Sequence, residues 1–258
     1  VGLAAMPVTT SKSWQVSVDS LDTEDCAALL TAIKSMQPVT LMWDETSTTD
    51  NQTTQAAAIQ RIGSAYLSDL SLTFNDRETT AKSLQFSGTG PLGHDIAAPT
   101  EVIGFANTFT KGQFVRLFLS NDNTAAPSAP IAAAKQLQLH VSVSLEDATT
   151  KDTEGEWTIQ EPTAISYDIT SNALMRSGET ITSQVTGKDV AAIEAIYEAG
   201  TPVKWKIANV SGANNRTASS TIVSGSVILT QLTLNGPNRQ NADYTATLNG
   251  YGNYDVVA

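Results

Sequence analysis

Gly63-Ser-Ala-Tyr-Leu-Ser-Asp-Leu-Ser-Leu72 returns 162 residues later as Gly225-Ser-Val-Ile-Leu-Thr-Gln-Leu-Thr-Leu234. The same spacing carries without a gap to Phe86-Ser-Gly-Thr-Gly90, which faces Leu248-Asn-Gly-Tyr-Gly252. Between Gly63 and Gly90 the identities are Gly63, Ser64, Leu67, Leu70, Leu72, Arg77, Gly88 and Gly90. Ordinary residue frequencies give roughly two by chance over such a length. A second echo precedes it: Asp25-Cys-Ala-Ala-Leu-Leu-Thr-Ala-Ile against Asp189-Val-Ala-Ala-Ile-Glu-Ala-Ile-Tyr, 164 residues on. A fixed internal period is read as a duplicated structural unit.

Each half follows one plan. Trp14, Val16 and Val18 alternate with polar neighbours, as Tyr167 and Ile169 do, and period-2 alternation marks a strand with one buried face. A helix follows: Thr23 is its expected N-cap, with Glu24 and Asp25 beside the positive end of its dipole. Leu29, Leu30, Ile33 and Met36 form its apolar stripe. In the second half Thr186 and Asp189 stand at capping-box-like spacing. Val190, Ile193, Ile196 and Tyr197 make the stripe there, and Gly200 with Pro202 stops the helix; Pro38 does so in the first half. Strands Val39–Trp43 and Val203–Ile207 come next, then polar loops over 44–61 and 208–222. Strands near 64–74 and 80–88 are joined by Asn75–Glu78, and Asn235-Gly-Pro-Asn238 is the matching turn. Phe114–Leu119 and Gln136–Leu145 read as two further strands, separated by an irregular loop over 120–134.

This order predicts a mainly β (α+β) chain of two tandem units, each with one flanking helix. The expected boundaries are 1–93 for the first unit, 94–110 for a connector and 111–258 for the second. The second unit carries an insertion over about Asn172–Gly187. The extra strand pair precedes the second unit only, so about 40 residues are expected upstream of Val1 in the natural protein. An intact mass of 27.3 kDa for that protein would contradict this. The opening Val1–Met6 lacks the basic and long apolar regions of a signal peptide.

Composition narrows the function. The 258 residues carry 26 acidic against 15 basic groups, a net charge of −11. Affinity for phosphates rests on Lys and Arg, so this balance excludes basic DNA-binding modules. A hydrophobic share of 41% allows a real core. No stretch approaches the ~18–20 apolar residues of a membrane span. The single cysteine, Cys26, excludes an internal disulfide and a multi-thiolate metal site.

Chemistry is sparse. Gly88-Thr-Gly-Pro-Leu-Gly93 matches G-x-G-x-x-G, but Pro91 interrupts it and no amphipathic helix follows to face a pyrophosphate. It reads as a strand end. His94 stands beside Asp95 in a loop with no third ligand at metal spacing. His140 lies on an alternating strand as an ordinary side chain. Cys26 begins a helix, where a thiol pKa can fall, yet its repeat partner is Val190, so it reads as a small buried residue. The Asn-x-Ser/Thr triplets at Asn51, Asn209 and Asn215 fall in polar loops rich in those residues. No catalytic, cofactor-binding or metal residues are assigned, no cofactor is expected, and the chain is read as a non-enzyme.

The assembled motifs resemble the tail tube (major tail) proteins of long-tailed bacteriophages. The matching segments are Ser13–Asp19, Asp25–Ile33, Gln37–Thr40, Gly63–Leu72 and Phe86–Gly90. In the second copy they are Asp189–Ile196, Gly200–Lys204, Gly225–Leu234 and Leu248–Gly252. Lys151-Asp-Thr-Glu-Gly-Glu-Trp157 looks like the family's segment before its first strand. The resemblance implies β-sandwich-like units whose inner sheets join into a barrel, with rings stacking into the conduit through which genome DNA passes. It implies a virion protein made in the bacterial host cytoplasm, meeting other tail proteins at the tube ends, with no membrane partner. Duplication turns six single-unit chains into three two-unit chains, a trimeric, pseudo-hexameric ring. An acidic wall also suits a conduit that must not hold DNA. The alternative is a carbohydrate-binding or adhesive tandem β-sandwich on a virion or cell surface, which predicts exposed aromatics. Trp14, Trp43, Trp157 and Trp205 instead fall on or beside core strands.

Overall fold

A computed structural model describes residues 12–21, 26–43, 61–93, 111–150, 157–175, 187–212, 216–238 and 240–257. The strands are β1 (Gln15–Leu21), β2 (Val39–Trp43), β3 (Arg61–Asn75), β4 (Ala81–Gly93), β5 (Val115–Leu119) and β6 (Ala129–Pro130). They continue as β7 (Ala134–Asp147), β8 (Gln160–Leu174), β9 (Val203–Val210), β10 (Ala218–Asn235), β11 (Asp243–Gly250) and β12 (Asp255–Val256). Helix α1 spans Cys26–Ser35 and α2 spans Val190–Ala199. The mainly β reading with one helix per half therefore holds.

The strands form one antiparallel sheet in the order β1-β4-β3-β7-β8-β11-β10-β9-β5-β6, with β2 on β3 and β12 on β10. Within it the same pairing order occurs twice: β1-β4-β3-β2 and β8-β11-β10-β9. The agreement extends to register. Leu67 faces Phe86, and Leu229 faces Leu248. Each β3-like strand then carries an extra residue, Ser68 or Thr230, before pairing resumes at Asp69–Gln85 and Gln231–Thr247. Such a bulge leaves one residue unpaired and bends the strand. Ser68 Oγ donates to the Gln85 carbonyl at 3.0 Å, and Thr230 Oγ1 donates to the Thr247 carbonyl at 3.3 Å.

One aromatic fills the same position in each half. Trp14 lies over Gly63 and Gly88, and Tyr167 lies over Gly225 and Gly250. A Cβ at Gly88 would stand 2.2 Å from the Trp14 ring, and one at Gly250 would stand 2.6 Å from the Tyr167 ring. The repeated glycines are thus the floor on which a large ring rests. Trp14 Nε1 donates to the Gly90 carbonyl at 3.1 Å, and Tyr167 Oη donates to the Ser226 carbonyl at 2.5 Å.

The helices pack on one sheet face. Leu30 and Ile33 of α1 and Ile193 and Ile196 of α2 join Leu70, Leu72, Leu139, Val141, Ile169 and Leu248 in one core that runs through both halves. Tyr254 ties the C-terminal segment to α1, its hydroxyl donating to the Leu30 carbonyl at 3.0 Å. Each fully buried aliphatic side chain contributes about 1.5–3 kcal/mol. Cys26 is buried in the core as a small residue and forms no disulfide. In α2, Asp189 is itself the N-cap and accepts from the Ala192 amide at 3.0 Å. Gly200 closes the helix at φ 58°, a left-handed conformation that glycine adopts without Cβ strain. Thr186 and the whole α1 cap, Thr23 to Asp25, lie outside the described residues.

Three expectations are corrected. The loop read over 208–222 is largely sheet: β9 runs to Val210 and β10 starts at Ala218. Pairing with β5, including Val115–Asn209, extends that polar sequence as strand. Residues 172–174, read as the start of an insertion, complete β8, where Asn172 pairs with Thr245. The loop over 120–134 contains β6 and is shaped by Asp122, whose Oδ1 accepts from Thr124 N, Thr124 Oγ1 and Ala125 N at 2.7–2.8 Å. These bonds pull its carboxyl pKa down to about 2. Residues 176–186, 44–60 and 94–110, with His94, Asp95 and Asn51, lie outside the described residues, as does Asn215.

Candidate functional site

Strand alternation leaves the sheet with a second face, opposite the helices. β7 sends Leu137, Leu139, Val141 and Val143 into the core and Gln136, Gln138, His140 and Ser142 to this second face. Its neighbours match: Asp69, Ser71 and Thr73 on β3; Ser83, Gln85 and Ser87 on β4; Ser166, Asp168, Thr170 and Asn172 on β8; Thr245, Thr247 and Asn249 on β11. Tyr66 of β3, opposite Ser87, shares this face, as do Lys204 and Lys206 of β9, opposite Ser226 and Ser224, whereas the residues of β3, β4, β7, β8 and β11 just given include no Lys, Arg or large apolar side chain. They form a half-exposed wall of hydroxyls, amides and carboxylates.

Side-chain hydrogen bonds lace the wall across the strands. Ser87 bonds Ser68 at 3.1 Å, Gln138 donates to Ser71 at 2.8 Å, Ser142 meets Ser166 at 2.8 Å, and Asn172 donates to Thr245 at 3.1 Å. Short polar side chains paired in this way stiffen the sheet and stand close to its surface.

His140 is the centre of the wall and of the seam between the halves. Its Nδ1 lies 2.8 Å from Asp168 Oδ1 on β8, and its Nε2 lies 2.7 Å from Asp69 Oδ2 on β3. Only the imidazolium donates through both nitrogens. Burial pulls the ring's pKa down, but the hydrogen bonds and charges of Asp168 and Asp69 outweigh it, so the net shift is upward. Reading His140 as an ordinary strand residue missed this clamp. The detectable signal was parity: all three residues occupy polar positions of alternating strands.

The chemistry-bearing candidates do not converge. Gly88–Gly93 ends β4 as a strand, as its sequence indicated. Cys26 is buried on the core side. Among the described residues no cluster of three His, Cys, Asp or Glu could hold a metal. No described helix is long and apolar enough to cross a membrane. Trp205 is fully buried, Trp14 is half-buried over its glycines, and Lys12 Nζ lies 5.8 Å from the Trp157 ring. The side chain of Trp43 lies outside the described residues.

A mainly antiparallel sheet with two helices on one face and a hydrophilic opposite face is therefore the class of fold. No family model matches the chain. No curated protein matches it either. Among solved structures it is similar to a chain from the tail of an empty gene transfer agent particle refined with C6 helical symmetry. That match has a TM-score of 0.45 and 15% identity, over 58% of this chain and 99% of the other. A chain of the native gene transfer agent virion matches with TM-score 0.44 and 14% identity, over 58% and 99%. A chain of the SPP1 tail tube matches with TM-score 0.41 and 17% identity, over 55% and 75%.

Proposed function

We propose that the chain is a structural subunit of a phage-type tail tube, with no catalytic role. Three copies close a ring of six units, rings stack, and the hydrophilic sheet face lines a channel through which DNA passes without specific binding. The observation that supports this most is that face. The central wall of short hydroxyls and amides around Asp69 and Asp168, with the cations Lys204 and Lys206 set apart on β9, offers phosphates little to grip. A net charge of −11 adds long-range repulsion of DNA.

The repeated pairing order and the matching bulges support the duplication and its division at 1–93 and 111–258. Two units related by one operation, joined in a single sheet, form an arc that further copies of the same operation extend to closure. The same reading places the protein in the virion, assembled from subunits made in the host cytoplasm, with other tail proteins at the tube ends. The carbohydrate-binding alternative gains nothing from the aromatic residues, since Trp14 and Trp205 are spent on packing.

The test is Ser142→Cys labelling. Ser142 lies on the hydrophilic face of β7, and the native Cys26 is buried. In dissociated subunits the new thiol reacts with small and bulky maleimides alike. In assembled tubes the small reagent still reacts and the bulky polymer-linked one does not. Equal reaction with both in tubes contradicts a channel-lining face, and absence of rings or tubes contradicts the function.

A further inference from the structure

The second repeat ends its long strand on a pair of residues that the first repeat lacks. Asn235-Gly236 stands where β3 has Thr73-Phe74. Asn235 is the last residue of β10 and pairs with Asp243 of β11; among the described residues no strand pairs with its other edge. Both residues of the pair are exposed, and among the described residues neither the Asn235 side chain nor the Gly236 amide makes a hydrogen bond. Pro237 follows and, having no N–H, does not continue the ladder. The chain holds one other Asn-Gly pair, Asn249-Gly250. Asn249 is exposed too, but its backbone lies in mid-sheet. It pairs with Ile228 of β10 and with Asp168 of β8, and Gly250 pairs with Val227. The Tyr167 ring also presses on Gly250, where a built Cβ would stand 2.6 Å from it.

We propose that Asn235 is a site of spontaneous covalent modification, deamidation through a succinimide formed with Gly236, and that the fold protects Asn249 from the same reaction. The Gly236 backbone nitrogen loses its proton and attacks Asn235 Cγ. The new C–N bond closes a five-membered imide as the Cγ–Nδ2 bond breaks, and ammonia leaves with that proton. Water then adds to one of the two imide carbonyls. Opening at the side-chain carbonyl leaves aspartate. Opening at the main-chain carbonyl leaves isoaspartate, with the backbone routed through Cβ. Either way one amide and one water become one carboxylate and one ammonium, with nothing oxidised or reduced. Glycine permits the attack because no Cβ crowds its nitrogen and its backbone turns freely. Attack also requires Asn235 to leave the extended conformation. At a strand end with one neighbour that costs little, whereas in mid-sheet it costs the pairing with two strands. The product has a definite neighbour. Asn235 and Asp243 are direct cross-strand partners, and Lys135 Nζ lies 3.8 Å from Asp243 Oδ2. Conversion sets a second carboxylate opposite Asp243, and like charges directly opposite destabilise a strand pair. Each modified chain therefore gains one negative charge and a looser end to its β10–β11 hairpin, whether or not it assembles.

The test is peptide mapping by mass spectrometry of the full chain held warm at mildly alkaline pH, with an isoaspartyl methyltransferase to label the isoaspartate. Folded wild type, wild type in denaturant and Gly236→Ala are compared. Gly236 has no positive φ, and a Cβ built on it meets nothing within 4 Å, so G236A folds as wild type. In the folded wild type the peptide carrying Asn235 is expected to gain about 1 Da. It should do so at least about tenfold faster than the peptide carrying Asn249, whose pairing must first be broken. G236A slows the reaction at 235 by a similar factor, and denaturant raises Asn249 to the rate of Asn235. Equal rates at the two sites in the folded chain overturn the proposal, as does a product at 235 that G236A leaves undiminished. So does a reaction at 235 that starts only in denaturant. If G236A fails to fold, the two wild-type sites compared with and without denaturant decide alone.

Discussion

Replacing Gly88 by Ala places a methyl group 2.2 Å from the Trp14 indole, where ordinary contact begins at 3.4 Å. The ring must retreat by about 1 Å, and Gly63 on its other flank already stands close, with a built Cβ 2.5 Å from Trp14 Cζ2. Retreat breaks the 3.1 Å bond from Trp14 Nε1 to the Gly90 carbonyl. That loss is worth about 1 kcal/mol. Displaced packing adds about 1–3 kcal/mol. Gly88 has no positive φ, so alanine returns about 0.4–1 kcal/mol by restricting the unfolded chain. The net expectation is a destabilisation of about 2 kcal/mol, or about 4–8 °C in Tm for a chain of this size. Urea unfolding followed by far-UV circular dichroism measures it. Trp14→Ala removes the obstacle, so in the G88A/W14A pair the glycine substitution costs less than 0.5 kcal/mol beyond W14A alone, roughly the limit for independent sites. Gly250→Ala against Tyr167 repeats the experiment in the second half and is expected to cost a similar amount. G88A as stable as wild type, or additive with W14A, would refute the idea that these glycines exist to seat the ring.

The His140 clamp predicts a pH dependence with a definite sign. Its folded pKa lies above the unfolded value of about 6.5, so the stabilisation is fully present below that pH and is lost as pH rises through the folded pKa. Wild type minus His140→Gln, measured by thermal unfolding between pH 5 and 9, should therefore be largest at the acid end; a flat difference contradicts the clamp. Asp189→Ala removes the α2 cap bond to the Ala192 amide and should cost about 1 kcal/mol, with Asp189→Asn retaining most of it. A loss below 0.3 kcal/mol by chemical denaturation would mean that packing alone holds that helix end. Gly200→Ala forces a side chain into φ 58° and should cost about 1–2 kcal/mol, read by the same denaturation.

What could be read from the sequence follows from how local each signal is. The alternation in β7 and β8, the Asp189 cap and the Gly200 stop act over a few residues, and the strands and α2 form where those signals stand. The polar ends of β9 and β10 carry no such signal. Asn209 and Ser220 become strand because β5 and the partner strand supply hydrogen-bond partners from far along the chain. The His140 clamp is more distant still: Asp69 lies 71 residues away and Asp168 lies 28 away, brought together by strand order. The repeat was legible from eight identities. The exposure of Leu234, 48% against 1% for its counterpart Leu72, was not, because identical leucines differ only in whether a neighbouring strand covers them.

The most direct test of the tube account is cryo-electron microscopy of particles assembled from the purified chain. The account predicts rings of three chains with pseudo-six-fold repetition, a sheet continuous across copies, and His140 and Ser142 on the channel wall with both helices outside. Compact monomers at every concentration, or rings whose channel is lined by the helices, would contradict it.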